Sequence, residues 1–336
     1  MNLESLELST QVLIAEARHR GVDVQILDPE DNFIALRRDG RTEYVKQATR
    51  TSADPYISAL LMENKEVTKI VLREAGLRVP AGGKYRSLEA ALADYSTHRE
   101  RKIVVKPNST NFGEGVVILE AGTERSVYRA ALEAAFALDA SVLVEEFISG
   151  REFRFLVIGG QTRAVLHRIP ANVQGNGRLT IRELVAEKNQ HPYRGEGYRK
   201  PLERIRLDAI ECEFLAGQGL SPDSVPAAGT TVFLRKNSNI STGGDSIDFT
   251  DTMPAVYQRW AEEATAVVRA AICGLDMIIP DLAAEGSNAE YCILELNFNP
   301  ALHIHDFPAE GKNRQVERHV LDLLGFPQPS RGSPAA

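Results

Sequence analysis

Asp281, Glu295 and Asn297 stand where PDLAAEG and ILELNFNP meet two short apolar runs, 275–279 and 291–296. A Gly/Ser/Asn-rich connection joins the runs and predicts a β-hairpin. An acid on one strand, facing an acid and an amide on its neighbour, can hold one or two Mg²⁺ ions. Such ions take oxygen ligands and leave coordination sites for substrate phosphates. On these residues alone, a solvated hairpin with ordinary polar positions fits equally well.

Three upstream stretches carry further chemistry. Lys106 ends the apolar strand IVVKP and precedes a loop, STNFGEG, that contains Gly113 and Gly115. A lysine with backbone amides freed by glycines suits the α- and β-phosphates of a nucleotide, although the spacing is not that of a GxxxxGK[ST] loop. In VLVEEFISGREFRF, the strand end Glu145-Glu146-Phe147-Ile148 offers a backbone edge for an adenine ring and a carboxylate for its exocyclic amine. Glu152, after a Ser-Gly turn, can accept hydrogen bonds from ribose hydroxyls; a solvated strand end is the plain reading of the same acids. The third stretch, VFLRKNSNISTGGDSID, follows a strand with Arg235, Lys236, Asn237 and Asn239, then Ser241, Thr242 and Gly243. Its donors can hold a carboxylate or a developing oxyanion, Arg235 giving a fixed fork; a polar turn is the alternative. His303 and His305 alternate as in a strand, and packing near a substrate is expected of them over metal ligation. No Ser/His/Asp or Cys/His nucleophile arrangement is visible.

These residues need a scaffold, and 336 residues with 43% hydrophobic content can bury a large core in two or three lobes. A formal charge of −7 implies no basic surface for nucleic acid. No apolar run approaches the roughly 20 residues that cross a bilayer, and the N-terminus lacks a signal-peptide profile. Cys212, Cys273 and Cys292 show no CxxC spacing and read as buried thiols of a reducing cytoplasm. Periodicity predicts an N-terminal α/β lobe, 1–84, with helices at 12–20 and 64–74 and strands at 22–27, 33–36 and 42–46. A central antiparallel lobe, 85–150, follows: helix 88–95 capped by Ser87, strands 102–106, 116–119 and 141–147, and helix 124–138. It has the form of a lid. In the C-terminal lobe, 151–326, strands are expected at 153–158, 163–169 and 230–234, and a capping box starts a helix at Thr180. A long amphipathic helix, 253–272, feeds the strand at Leu275, and 327–336 reads as a disordered tail.

Lys65 on a helix, Lys106 before a glycine loop, the 145–148 strand end with Glu152, then Asp281, Glu295 and Asn297 follow the order seen in ATP-grasp ligases. More narrowly, MENKEVTKIVLREAG, VVKPNSTNFGEG, RIPANVQGNGRLTIRELV, LRKNSNISTGGDSIDFTD and ILELNFNPALHIHDFPAEGKNR resemble the ATP-grasp half of the bifunctional glutamate–cysteine ligase/glutathione synthetase. Cyanophycin synthetase is similar more loosely. The resemblance spans about 9–326. It implies an α/β (α+β) ATP-grasp fold of three lobes, with nucleotide between the central lid lobe and the C-terminal lobe. It implies ATP phosphates on Lys65 and Lys106, adenine on 145–148, ribose on Glu152, and two Mg²⁺ ions (or Mn²⁺) on Asp281, Glu295 and Asn297. The acceptor carboxylate or its acyl phosphate would meet Arg235 and the 239–244 segment, with Arg154 and Arg168 as further substrate candidates. D-alanine ligases of the same superfamily carry an arginine two residues before the metal aspartate. Ile279 stands there, which argues against that branch and moves the oxyanion role to Arg235.

The implied activity is ADP-forming, ATP-dependent ligation of a carboxylate to an amine through an acyl phosphate. γ-Glutamylcysteine and glycine are the leading pair, and another acid or amine in a specialised peptide or natural-product pathway is the alternative. A cytoplasmic location and a homodimer are expected. The half that makes γ-glutamylcysteine is missing from this sequence, so the dipeptide is expected from another enzyme.

Overall fold

The computed structural model describes residues 3–109, 115–284 and 290–328; Gly113 and residues 329–336 of the expected tail lie outside them. Helix α1 (Leu8–His19) buries Leu13, Ile14 and Ala17 against a sheet of β1 (Asp23–Asp28), β2 (Phe33–Arg38) and β3 (Arg41–Lys46), antiparallel in that order. Next come α2 (Tyr56–Glu63) and α3 (Lys65–Glu74), the latter capped where Asn64 Oδ1 accepts from the Val67 amide at 3.2 Å.

The central lobe contains β4 (Gly82–Tyr85), α4 (Leu88–Ala93), α5 (Tyr95–His98), β5 (Ile103–Pro107), β6 (Val117–Leu119), α6 (Arg125–Phe136) and β7 (Val142–Glu146). Its strands lie in the order β4-β7-β5-β6, all antiparallel. One face is closed by Tyr128, Leu132 and Ala135 of α6 packed on Val105 and Val144. The boundary expected at 84/85 falls inside β4, which draws residues 82–85 into this sheet.

The third lobe runs β8 (Arg151–Ile158), β9 (Gln161–Ile169), β10 (Asn172–Gln174), α7 (Ile181–Lys188), β11 (Arg194–Gly195), β12 (Leu202–Glu203), α8 (Ala209–Ala216) and β13 (Thr231–Phe233). It continues with β14 (Asp245–Asp248), α9 (Ala255–Val267), β15 (Ile272–Ile279), β16 (Cys292–Asn297), α10 (His303–Asp306) and α11 (Glu317–Leu323). Thr180 and Glu183 form both halves of the expected capping box. Helix α9 ends earlier than its apolar periodicity suggests. Arg269 takes a positive φ of 55° and the Ala270 amide reaches back to the Thr265 carbonyl, a helix-ending turn that frees 272–279 as strand. His303 and His305 stand on a helical turn, not a strand, because Ser9 Oγ accepts from the Leu302 and His303 amides at 3.0 and 3.4 Å.

Five strands, β14-β9-β8-β15-β16, make the main sheet. Alternation along each strand divides it into faces. Phe153, Phe155, Val157, Cys273, Leu275 and Met277 fill a core with Tyr257, Ala261 and Ala264 of α9. Full burial of each large side chain contributes roughly 2 kcal/mol. On the opposite face Leu156, Ile158, Ala164 and Ile272 pack under α1, β2 and α11. The other half of that face carries Glu152, Arg154, Arg168, Asp276 and Glu295, left for chemistry. Residues 171–234 leave the sheet to build a small core of their own, from Ala171, Val173, Ile181, Leu215, Val232 and Leu234 among others. Among the described residues no helix is long and apolar enough to cross a membrane.

Candidate active site

The β15–β16 hairpin forms with a register that sets Asp276 opposite Glu295 and Gly274 opposite Asn297. On the other flank of β15, Arg154 lies opposite Asp276. Its guanidinium grips the Asp276 carboxylate at two points, Nη2–Oδ2 at 2.9 Å, and Arg168 Nη2 reaches the same oxygen at 2.9 Å. Arg168 also bonds Glu152. Asp276 is 1% exposed. Burial alone would raise its pKa, but the two guanidiniums outweigh that and hold the carboxyl well below the usual range. Gly274 is required beside them: a Cβ there would lie 3.2 Å from Arg154 Nη1 and 2.9 Å from Pro300 Cβ. Glu295 is half-buried, with Asn297 Nδ2 at 3.4 Å from one oxygen and Lys65 Nζ at 3.9 Å from the other.

Asp281 is not part of this group. It follows the end of β15, five residues from Asp276, which is roughly 16 Å of extended chain. It is exposed, and its carboxylate accepts from the Ala283 amide at 2.9 Å. Asp276 went unnoticed in the sequence because it sits inside an apolar run, ICGLDMII; a lone acid in such a strand was the signal.

The nucleotide candidates converge on Glu145. It is buried, and its carboxylate is held by Lys69 of α3 and by Lys106 of β5, the latter at 2.8 Å. Burial pushes the Glu145 pKa up, and the two lysines more than reverse it. Desolvation lowers Lys65 and takes Lys69 down to about 8, with Lys106 adding repulsion in both cases. Lys65 and Lys69, one turn apart on α3, therefore face two partners: Glu295 of β16 and Glu145 of the central-lobe strand β7. Spacing from Lys65 was the overlooked signal for Lys69. Glu146 bonds the Ala81 backbone through both its amide, 2.8 Å, and its carboxylate, 3.0 Å. The Phe147 amide donates to the Lys102 carbonyl at 2.9 Å, and the Lys102 ammonium lies 4.6 Å from the Phe147 ring centre. Ile148 is half-buried just beyond β7, and Gly115 lies against Pro107 at the described end of the glycine loop.

Arg235 turns away from the acids and pairs with buried Glu211 of α8. The segment after it is a tight 3₁₀ turn. Thr242 donates to Asn237 Oδ1 at 3.0 Å and to the Asn239 carbonyl at 2.9 Å, and Ser241 bonds Tyr198. Gly243 has a φ of 91°, and a Cβ there would meet Ile205 Cα at 2.8 Å. Arg194 donates to the Gly243 carbonyl at 3.1 Å and, with Lys188 at 2.6 Å, grips Asp245. Ser246 of β14 pairs in register with Arg168. The structure thus brings Ser241, Thr242 and Gly243 to the edge strand beside Arg168, and leaves Arg235 in an ion pair with the insert.

Beneath the arginines, burial pushes His303 down to about 4 and His305 to about 3, while burial beside Glu317 pushes Asp306 up to about 8. The histidines are neutral when folded and protonate first in the unfolded chain. Their stability contribution is complete above about pH 6.5 and is lost as pH falls toward the folded values. Asp306 acts oppositely: its contribution is present at low pH and lost as pH rises through 8. Each group contributes a slope of about 1.4 kcal/mol per pH unit where it titrates; between pH 7.5 and 5.5 Asp306 does so over about two units and each histidine over about one, so Asp306 offsets most of the pair's acid sensitivity. Asp306→Asn removes that cancellation. Between pH 7.5 and 5.5 its unfolding free energy in urea should fall by about 2–3 kcal/mol more than that of the wild type.

An antiparallel lid sheet whose lysine and glutamate face a strand pair bearing Asp276, Glu295 and Asn297 is the ATP-grasp arrangement, and the chain has the ATP-grasp fold. A family model described as an ATP-grasp-like domain matches residues 4–57. The chain is homologous to the glutathione biosynthesis bifunctional proteins GshAB. It is 52% identical over 321 residues to that of Clostridium perfringens (strain 13 / Type A), covering 96% of this chain and 41% of the relative. The Desulfotalea psychrophila protein is 49% identical over 324 residues, with 96% and 42% covered. The crystal structure of a bifunctional glutathione synthetase from Pasteurella multocida superposes with a TM-score of 0.75 at 46% identity, over 96% of this chain and 44% of that one. The chain spans about two fifths of the length of the curated relatives it matches.

Proposed function

We propose that the protein is an ATP-dependent, ADP-forming carboxylate–amine ligase of the glutathione synthetase type, joining γ-glutamylcysteine to glycine. The observation that carries this reading is identity of about half over 96% of the chain to proteins named for glutathione biosynthesis. A carboxylate is a poor acylating agent, so it must first take the γ-phosphoryl group of ATP; the amine then displaces phosphate from the acyl phosphate. The donor set Asp276, Glu295 and Asn297 is all oxygen and adjoins Lys65, which fits a hard divalent cation. Bound there, one or two Mg²⁺ ions would neutralise charge on the phosphates. Asp276 takes the place that sequence order gave to Asp281.

In this reading Lys65 and Lys106 bind phosphates, and 145–148 with Glu152 holds adenine and ribose. Arg154 and Arg168 then bind the acid's carboxylate and the developing oxyanion, since they reach the acids and Arg235 turns to Glu211. The 239–243 segment borders the acceptor, and the central lobe closes to exclude water from the acyl phosphate. The three cysteines are free; Cys273 and Cys292 are buried, which pushes their thiols up to about 12, whereas Cys212, expected to be buried, is partly exposed. Incubation with ATP, Mg²⁺, γ-glutamylcysteine and glycine should give ADP, phosphate and the tripeptide by mass. Hydroxylamine in place of glycine should give a hydroxamate. An absence of ADP formation across a panel of acids and amines would overturn the reading.

A further inference from the structure

Among the described residues, four buried polar atoms without a hydrogen-bond partner belong to three residues on adjoining elements: Nε of Arg168, Oγ of Ser238 and both ring nitrogens of His305. The three residues are 7%, 5% and 0% exposed. Their elements meet in one apolar cluster that contains Leu166, Ile240 and Ile304. Arg168 is two residues from Leu166 on the same face of β9, Ser238 is two residues before Ile240, and His305 adjoins Ile304. Arg154, Arg168, His303 and Asp248 face His305, and its burial beside them keeps the imidazole neutral. Native folds satisfy roughly nine in ten buried polar groups, because each one left unmade is destabilising. Convergence of four from three separate elements marks a place where the partners come from outside the chain.

We propose that Arg168, Ser238 and His305 line a recess for the α-amino-acid head group of a substrate. Arg168 Nε–H and the serine hydroxyl donate to its carboxylate, and the unprotonated imidazole nitrogen accepts from its ammonium. Donors and an acceptor on one wall suit a zwitterion, whereas a phosphate would call for donors alone. The place of this recess in turnover rests on the ligase reading; its occupancy does not, and binding tests it separately.

The test is calorimetric titration of glycine, γ-glutamylcysteine and a panel of α-amino acids, with Mg²⁺ and a non-hydrolysable ATP analogue present. Thermal unfolding of each variant is followed alongside. Wild type binds at least one amino-acid ligand. His305→Leu weakens that binding about tenfold or more and Ser238→Ala about threefold or more, with analogue affinity within about twofold and Tm unchanged or raised. His305→Gln, which keeps a donor and an acceptor, stays within about threefold of wild type. Should His305→Leu fail to fold, the Ser238→Ala and His305→Gln pair decides. Wild-type affinity in both His305→Leu and Ser238→Ala overturns the recess, as does a wild type that binds nothing in the panel. ADP formation with other acids would then leave the ligase reading intact, and binding without any ADP formation would do the reverse.

Discussion

Asp276→Ala should abolish ADP release and destabilise the fold by about 3–5 kcal/mol, while Asp281→Ala leaves turnover within about threefold and stability within about 0.5 kcal/mol. The first effect follows from what surrounds Asp276. Arg154 and Arg168, both under a tenth exposed, donate to its two oxygens from β8 and β9. Deleting the carboxylate leaves one guanidinium without an anion and the other with Glu152 alone. Asp281, by contrast, is exposed and holds only a local bond to Ala283. Glu295→Gln separates chemistry from folding at the same site. Its carboxylate is a third exposed and its nearest cation stands at 3.9 Å, so stability should shift by less than about 1 kcal/mol. Turnover should still fall by about 10²–10³. Urea unfolding and an ADP-release assay on the three variants read both quantities. Loss of turnover in Asp281→Ala with Asp276→Ala active would return the metal role to Asp281.

The extent to which sequence revealed this site depended on whether the signal was local. Capping at Ser87 and Thr180 and the succession of strand, loop, strand, helix and strand in the central lobe could be read directly, since short-range hydrogen bonding and period-two patterning decide them, whereas β4 was not read as a strand. The hairpin was also legible, but its register was not. Only pairing across β15 and β16, with a bulge after Asp276, determines which acid faces Glu295. Arg235 looked catalytic because it stands among asparagines and glycines in sequence; its partner, Glu211, lies 24 residues away on a helix of the insert. Asp245 carries no sequence signal of its own, yet Lys188 and Arg194 reach it from the insert, 57 and 51 residues distant. Long-range ion pairs of this kind leave no periodic trace. Nor does a helix end set by one arginine in the left-handed region, which is why α9 read five residues too long.

Lys106→Met and Lys69→Met should separate by their effect on ATP turnover, although both lysines hold the same carboxylate. Lys106 is a fifth exposed and lies at the end of β5, where the glycine loop begins, so its ammonium can leave Glu145 for a phosphate. Removing it should lower kcat/KM for ATP by about 10²–10³, and, since buried Glu145 then keeps Lys69 alone, should also cost about 1–3 kcal/mol of stability. Lys69 is 5% exposed and stays against Glu145, tying α3 to the lid strand β7. Its loss leaves a buried carboxylate with one partner where it had two, and should cost about 1–3 kcal/mol, with kcat/KM for ATP falling less than tenfold. Glu145→Ala should be the most destabilising of the three, because it strands both ammonium groups in a low-dielectric site and Lys69 is already pushed down to about 8. Steady-state kinetics with varied ATP and urea unfolding at pH 7.5 separate the outcomes. If Lys69→Met loses ATP turnover and Lys106→Met keeps it, the phosphates are held from α3, and the glycine loop closes over them without supplying the charge.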